Sequence, residues 1–289
     1  MLRTFVIFNP AARGEKSQRL RAFLDAKAGP TVTLAPTRRA GDAKTLAADA
    51  VAQGYDVVVA AGGDGTINEV VNGLGTSGVA LGVVPLGTVN VFAQELGIPR
   101  QFDAAWAVIE AGTVRTIDLG CAEAQGQRRL FVQLAGVGFD AQAVRAANWE
   151  LKKKFGPLSY LWAGAQVLWQ PRRVVEVVPG GRGSIVLIGN GRLYGGKLAL
   201  FPEARMDDGK LDVCVFERWS GLAVTRYVLG VLQGSHTRLP DVKYFQAEQF
   251  ECRAATAPVP YELDGEDAGE APVRFSVLPR ALRVIVPAG

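Results

Sequence analysis

Histidine is nearly absent from this chain: His236 is the only one in 289 residues. Set in Gly-Ser-His-Thr-Arg-Leu-Pro, beside a proline turn, it reads as a structural side chain. Without a second histidine or a cysteine cluster, a zinc site is not expected. Cysteine is scarce too. Cys121, Cys214 and Cys252 are an odd number with no CxxC spacing. Cys121 and Cys214 lie in strand-like runs as small core residues, suited to a reducing cytoplasm. No Gly-x-Ser-x-Gly elbow is present, which argues against serine-hydrolase chemistry. No stretch approaches the ~20 apolar residues of a membrane span. The longest, Tyr160 to Trp169, is broken by Gln166 and ends at Pro171. The opening apolar run, Met1 to Phe8, is too short for a signal peptide, and the chain reads as soluble. Excess charge is small, +4 with a pI near 9.0. Arg38-Arg39, Arg128-Arg129, Lys152-Lys153-Lys154 and Arg172-Arg173 are scattered. They read as solvated faces, so no nucleic-acid partner is expected.

Glycine, by contrast, is abundant: 34 of 289 residues, about 12% against a usual ~7%. The stretch that organises the chain is 57–74. Val57 to Ala61 read as a buried strand. Gly62, Gly63 and Gly65 then surround Asp64, and Thr66 is placed to cap a helix signalled by Ile67, Val70, Val71 and Leu74. Glycines let the backbone turn sharply and uncover its N–H groups, which at a helix start bind phosphate. Asp64 would repel a bare phosphate, so it points to a metal, a bound water or a ribose hydroxyl. The plainer alternative is a strand–turn–helix with loose glycines, although a plain turn rarely needs three glycines and a carboxylate.

The pattern predicts strands over 5–8, 31–35, 57–61, 79–84 and 113–119. Helices are predicted over 15–28, 42–53, 66–74, 90–96 and 102–111. This rhythm argues for a parallel sheet covered by helices on both faces. Ligands of such sheets sit at the carboxyl ends of the strands, where the loops Asn9 to Gly14, Gly62 to Thr66 and Gly87 to Asn90 converge. Beyond Cys121, strands dominate, over 129–135, 173–178, 184–189, 197–201, 210–217, 242–246, 248–253, 260–263, 272–277 and 282–286. Helices are expected around 151–169 and 219–233, in a mostly antiparallel, sandwich-like second domain.

Two apparent motifs are set aside. Gly136-Val-Gly138-Phe-Asp-Ala141 has the dinucleotide glycine spacing but no acidic residue about 20 positions on. Gly191 to Leu198 nearly spells a phosphate loop, but Leu198 stands where Ser or Thr is required and a strand follows. Two acidic turns remain. Pro202 to Asp212 sets Asp207 and Asp208 in a turn of the kind Mg²⁺ or Ca²⁺ prefers. Tyr261-Glu262-Leu263-Asp264-Gly265-Glu266 sets two carboxylates about a glycine at a strand end, a good place for a general base. Taken alone, either turn reads first as a plain Asp-Gly hairpin.

Taken together, the motifs resemble the diacylglycerol kinase catalytic family, which includes bacterial lipid kinases and sphingosine kinases. The likeness rests on Gly62-Gly63-Asp64-Gly65-Thr66 with Asn68 and Glu69, Asn9-Pro10 with Gly14, and Pro85-Leu86-Gly87-Thr88-Val89-Asn90. It extends to Gly136-x-Gly138-Phe-Asp140, Pro202-Glu-Ala-Arg205-x-Asp-Asp208-Gly209-x-Leu-Asp212, and Leu263-Asp264-Gly265-Glu266. The resemblance implies a doubly wound nucleotide domain, NAD kinase- and phosphofructokinase-like, over 1–121 with 280–289. It implies a β-sandwich lipid-binding domain over 122–279, with the cleft between them and the last strand folding back onto the first domain.

It also implies ATP and Mg²⁺ as cofactors. Asn9, Pro10, Arg13, Gly14, Thr37, Gly62, Gly63, Asp64, Gly65, Thr66, Asn68, Glu69, Gly87, Thr88 and Asn90 would line the nucleotide site. Glu266 would be the proton acceptor with Asp264 its neighbour. Asp208 with the carbonyls of Arg205 and Lys210 would hold a structural Mg²⁺, and Asp64 a hydrated one. Phe139, Tyr160, Trp162 and Leu168 are offered as an acyl-chain lining or, equally, as core. Lys152 to Lys154 are offered as a peripheral contact with anionic headgroups. The expected partner is a lipid at the membrane surface, for a cytoplasmic, peripherally bound enzyme, with a homodimer left open.

The sequence departs from the family pattern at Val91 and Gln94, where many members carry a carboxylate and a cation, and after Glu266, where many carry a proline. The alternatives are an NAD kinase-like small-molecule kinase and a catalytically inactive nucleotide- or lipid-binding regulator.

Overall fold

The computed structural model describes residues 2–10, 15–146 and 173–288. Arg13, Gly14, the helix expected over 151–169, and with it Lys152 to Lys154, Tyr160, Trp162 and Leu168, lie outside the described residues. The chain divides into two units, Met1–Leu119 with Pro279–Gly289, and Gly120–Leu278.

The first unit runs β1 (Thr4–Phe8), α1 (Glu15–Lys27), β2 (Val32–Pro36), α2 (Asp42–Ala52), β3 (Val57–Gly62), α3 (Asp64–Leu74), β4 (Ala80–Pro85), α4 (Val91–Glu95), α5 (Phe102–Ala111) and β5 (Val114–Ala124). Strands β2, β1, β3 and β4 lie side by side and parallel, and the end of β18 (Val273–Ile285) joins β4 in parallel at Val284 and Leu81. Every residue of β1, β3 and β4 is buried. This is why those runs, apart from Thr4 at the start of β1, carry no polar side chain. On one face, Val6, Phe8, Val57, Val59 and Val84 share a core with Leu20, Leu24, Trp106 and Ile109 of α1 and α5. The alternate residues Ile7, Val58 and Ala60 are buried on the other face, the side of α2 and α3. Each fully buried Val, Leu or Ile contributes about 1.5–3 kcal/mol relative to exposure. The α2–α3 contact is backbone-close: a Cβ at Gly73 would lie 2.2 Å from the Lys44 carbonyl oxygen.

The second unit holds β6 (Gln127–Phe131), β7 (Leu134–Gly138), α6 (Phe139–Ala146), β8 (Val175–Val178), β9 (Gly181–Gly183), β10 (Ile185–Gly189), β11 (Leu193–Tyr194), β12 (Leu198–Ala199), β13 (Leu211–Phe216), α7 (Gly221–Leu232), a 3₁₀ turn (His236–Arg238), β14 (Val242–Ala247), β15 (Gln249–Ala254), β16 (Pro260–Leu263) and β17 (Glu266–Glu270). An antiparallel six-stranded sheet is ordered β14-β13-β10-β7-β16-β17. Strict alternation splits its residues. Val186, Ile188, Val213 and Val215 face a core shared with Phe131, Val175, Phe250 and Phe275 of a second layer. Ile185, Leu187, Cys214 and Phe216 face Ala223 and Tyr227 of α7. This is the sandwich the period-2 pattern predicted.

Several expectations need correction. The predicted strand 129–135 is two strands, β6 and β7, parted at Val132 and Gln133. Segments 272–277 and 282–286 form one strand, β18, with a local kink at Arg280 (φ 52°), whose N–H donates to Asp118 at 2.7 Å. Helix α6 follows β7 directly and was not anticipated. Gly138 (φ 91°) makes that junction possible, because a Cβ there would meet the Ser184 carbonyl oxygen at 2.6 Å. Helix α3 begins at Asp64, two residues before the expected start. Gly63, extended, is its N-cap, and its carbonyl accepts from the Ile67 N–H at 3.1 Å. Thr66 therefore does not cap the helix; its side chain lies against the Gly62 backbone, where a Cβ would meet Thr66 Oγ1 at 2.5 Å. After Gly191 the chain forms the hairpin β11–β12 rather than a helix, as the rejection of a phosphate loop there requires.

Candidate active site

In the first unit, sheet register brings the sequence-predicted loops to one edge. Phe8 pairs with both Pro36 and Ala61, and Gly62 pairs with Pro85, so β2, β1, β3 and β4 end together. Asn9 and Pro10 follow β1. Thr37, buried, follows β2 and donates its backbone N–H to Phe8 at 2.9 Å. Gly63 follows β3, and Gly87 and Thr88 follow β4. The two glycine loops touch: a Cβ on Gly87 would lie 2.9 Å from the Gly63 Cα and 2.8 Å from Asn90 Oδ1. The Gly62 carbonyl ties them together, accepting from the Leu86 N–H at 2.9 Å and from Asn90 Nδ2 at 3.0 Å. Asn90 itself is left-handed (φ 52°) and buried, and its Oδ1 has no donor among the described residues.

Asp64 and Gly65 occupy the first turn of α3, where a carboxylate is favoured by the helix dipole. Asn68, one turn on, is buried, and Asn72 Nδ2 donates to its Oδ1 at 3.1 Å. Glu69 is engaged elsewhere: its two oxygens accept the N–H groups of Gly41 (2.9 Å) and Ala43 (3.0 Å), supplying the cap that Gly41 cannot give α2. Where a basic residue is missing at Gln94, that side chain braces the loop by donating to the Val89 carbonyl. A cation stands there nonetheless, because Arg100 donates to the carbonyls of Thr88 at 2.8 Å and Gly87 at 3.3 Å. Nothing in the local sequence around Arg100 announced it.

In the second unit, the Asp264-Gly265 turn is much more than a hairpin. Asp264, at φ 49°, points its carboxylate into the gap between β6 and β7. There it accepts the N–H groups of Val132 (2.8 Å), Gln133 (3.0 Å) and Leu134 (3.0 Å). That is what parts the predicted 129–135 strand. Such a nest holds a carboxylate as a structural anion, so Asp264 positions the turn. Glu262, fully buried, accepts the Gly265 N–H at 2.6 Å through Oε2. Its Oε1 lies against the carboxyl of Asp140 on α6. Both oxygens crowd Gly136, where a Cβ would come within 2.5 Å of Asp140 and 2.9 Å of Glu262. Tyr194 donates to the other Asp140 oxygen at 2.5 Å.

As two carboxylates, Glu262 and Asp140 would have no donor between them, and Glu262 Oε1 would be orphaned. A single proton held between them would resolve this. Burial, then the neighbouring Asp140 charge, raises Glu262 well above the usual carboxylate range against the Gly265 N–H. Burial raises Asp140 too, opposed by its bonds to Tyr194 and Glu262. Glu266 opens β17, half-exposed, with Arg129 at 3.9 Å. The non-proline residues after it are explained: Arg145 of α6 pairs with Asp267 (2.8 Å) and Glu270 (2.9 Å) and donates to the Gly269 carbonyl (2.8 Å). Sequence reasoning missed Glu262 and Arg145.

The third predicted element, Asp208, accepts the Lys210 N–H at 3.1 Å over Gly209 (φ 72°), and Arg205 pairs with Asp207 at 3.6 Å. Behind it, burial raises the pKa of Asp212, opposed by hydrogen bonds from Tyr244 and Gln246, while Asp208 and Glu203 add negative field. Among the described residues, no three His, Cys, Asp or Glu side chains group to hold a metal. A cation at this turn would therefore depend on Asp208 and carbonyl oxygens. The remaining suspects are structural. His236 is buried with Nε2 2.8 Å from the Leu200 carbonyl oxygen. All three cysteines are buried and free, and burial pushes Cys214 up to about 12. Phe139 packs on Trp219 at 4.7 Å beside the outer core of the six-stranded sheet.

Residues 3–122 match the family of the diacylglycerol kinase catalytic domain, and residues 133–286 match the YegS C-terminal NAD kinase beta sandwich-like domain. A diacylglycerol kinase of Staphylococcus saprophyticus is 32% identical over 297 residues, covering 99% of this chain and 95% of its own. A Pseudomonas aeruginosa protein named "Probable lipid kinase YegS-like" is 34% identical over 308 residues, covering 99% and 95%. The crystal structure of a diacylglycerol kinase from Bacillus anthracis shares the fold, with a TM-score of 0.77, 23% identity, and 99% and 97% of the two chains covered. Among the described residues no helix is long and apolar enough to cross a membrane. A parallel-sheet unit with paired glycine loops, followed by a sandwich that braces an Asp-Gly-Glu turn, thus carries matching domains from end to end, and the chain belongs to the diacylglycerol kinase family of lipid kinases.

Proposed function

We propose that the protein transfers the γ-phosphoryl group of ATP to a hydroxyl of diacylglycerol or a related lipid, with the first unit binding the nucleotide and Glu266 accepting the hydroxyl proton. The observation that carries this reading is the bracing of Glu266. Its turn is fixed on one side by Asp264 in three backbone N–H groups and on the other by the Glu262–Gly265 bond. A general base must be held in place while remaining accessible, and this carboxylate is both.

The nucleotide side fits too. Gly63 and Gly87 leave the backbone bare where a phosphate chain would lie, the N-terminus of α3 faces the same loop, and Arg100 adds a positive charge. The orphaned Asn90 Oδ1 suits a donor on the ligand, a ribose hydroxyl or a metal-bound water. Asp64 would hold Mg²⁺ beside the phosphates, and Asp208 with the Arg205 and Lys210 carbonyls would hold a second ion. When bound, Mg²⁺ neutralises phosphate charge. In the transfer, the hydroxyl proton passes to Glu266, the freed oxygen forms a bond to the γ-phosphorus, and the bond to the β-phosphate oxygen breaks, releasing ADP.

The test is labelled ATP with diacylglycerol in mixed micelles and, separately, with NAD. Label is expected in the lipid; label in NAD alone would overturn the assignment. Glu266→Gln should lower turnover by about 10²–10⁴-fold with ATP binding nearly unchanged. A variant with full activity would remove Glu266 from the chemistry.

A further inference from the structure

Helix α7 is apolar on both sides. Ala223, Tyr227 and Gly230 are buried inward, and Ser220 caps its first turn by accepting the Ala223 N–H at 3.2 Å. On the opposite side, Leu222 (84% exposed), Val228 (51%), Leu229 (52%) and Leu232 (62%) face solvent, half of the large exposed apolar side chains among the described residues. At 100° per residue they fall within one arc of about 120°. Thr225 lies in the same arc, and its hydroxyl is turned back to the Gly221 carbonyl at 2.9 Å, so it too presents a methyl group. A helix that needs only its inner face for folding does not require leucine outside.

Charge around the patch is mostly of one sign, because the bordering carboxylates Glu217 and Asp241 are paired with Lys243 and with Arg218 and Arg226. From Arg218 to Pro240 the sequence has three arginines, Arg218, Arg226 and Arg238, and no Asp or Glu. Arg218 and Arg226 share one buried carboxylate, Asp241, which leaves an excess of positive charge at the rim. An isologous dimer through this face would set those arginines against their own copies. An anionic bilayer surface complements both features, taking the leucines at its acyl boundary and the guanidinium groups among its phosphates.

We propose that the outward face of α7 docks the protein on an anionic lipid bilayer. The choice of a bilayer over another anionic partner rests on the lipid-kinase reading; the patch itself does not. The test is sedimentation with vesicles of phosphatidylglycerol and phosphatidylcholine in equal parts, and with phosphatidylcholine alone, in the absence of ATP. Wild-type protein should prefer the anionic vesicles, and L222S/L229S/L232S should bind them at least tenfold more weakly with an unchanged melting temperature, because these side chains are exposed. Phosphorylation of diacylglycerol should fall with binding when the lipid is presented in vesicles and stay within twofold in detergent micelles. Undiminished vesicle binding by the triple variant overturns the proposal. So does a wild-type dimer that the variant converts to monomer without loss of vesicle binding, which would assign the face to a second copy. If wild-type protein phosphorylates no lipid in either presentation, the kinase reading fails while the sedimentation result still decides the docking face.

Discussion

The two units build their candidate functional elements from opposite materials. At the glycine loops of the first unit the working surface is backbone: bare Cα atoms at Gly63 and Gly87, one buried amide at Asn90, and carbonyls held by Arg100. At the Glu266 turn of the second unit it is carboxyl groups: Asp264 in a nest of N–H groups, and below it Glu262 beside Asp140, the Glu262 carboxyl raised well above its ordinary range by burial and then by the Asp140 charge. On the proposed roles, the contrast follows from what each element would do. A nucleotide brings its own negative charge, so the protein needs to supply only dipoles and room. A general base is the protein's own charge, and holding it still requires other groups to be sunk around it, each with its desolvation offset.

The largest break in the comparison is at Asp264. Asp264→Ala leaves three enclosed N–H groups at Val132, Gln133 and Leu134 without their acceptor. With hydrogen bonds to charged groups worth about 1.5–3 kcal/mol each and not fully additive, a loss of about 3 kcal/mol or more is expected in urea unfolding. Asp264→Asn, which keeps an acceptor, should lose less. Equal unfolding midpoints for Asp264→Ala and wild type would show that the turn does not depend on this carboxylate. The corresponding break in the first unit is sterically small and local. Gly87→Ala would put a methyl group 2.9 Å from the Gly63 Cα, so the loops must part. The expected result is an ATP affinity about tenfold weaker, roughly 1.4 kcal/mol, with the unfolding midpoint little changed. Unaltered affinity would separate loop contact from nucleotide binding.

The same difference decides what could be read from the sequence. The glycine loops of the first unit were legible because their parts are contiguous: strand, glycines and helix lie within 57–74, and the parallel rhythm places the other loops on the same edge. Only local details slipped, such as the start of α3 at Asp64, because a glycine N-cap carries no side-chain signal. The acidic turn of the second unit was legible only at its tip. Asp264 and Glu266 stand out as a pair, but Asp264 is held by residues about 130 positions earlier, and Glu262 pairs with Asp140, 122 positions away. No periodicity marks such partners. The break between β6 and β7 has the same origin, since Val132 and Gln133 look like strand until a distant carboxylate takes their N–H groups.

The smallest expected effect tests whether the proton shared beneath the turn is real. Glu262 is raised well above its ordinary value of 4.5 in the folded protein, first by burial and then by the Asp140 charge; Tyr194 on Asp140 and the nearby Asp264 complete the groups around it. Between 4.5 and that raised value the folded chain holds a proton that the unfolded chain has released. Stability therefore falls as pH rises through this window and is fully restored only below the unfolded value. Glu262→Gln keeps an oxygen for the Gly265 N–H and gives Asp140 a permanent N–H donor, so no proton is needed. Its urea midpoint should be less sensitive to pH between 5 and 8 than that of wild type, and at neutral pH it should be at least as stable. Its activity should hold, whereas Glu262→Ala, which abandons both partners, should lose turnover more than ATP affinity. Parallel pH profiles for wild type and Glu262→Gln would mean that the buried pair does not carry the proton.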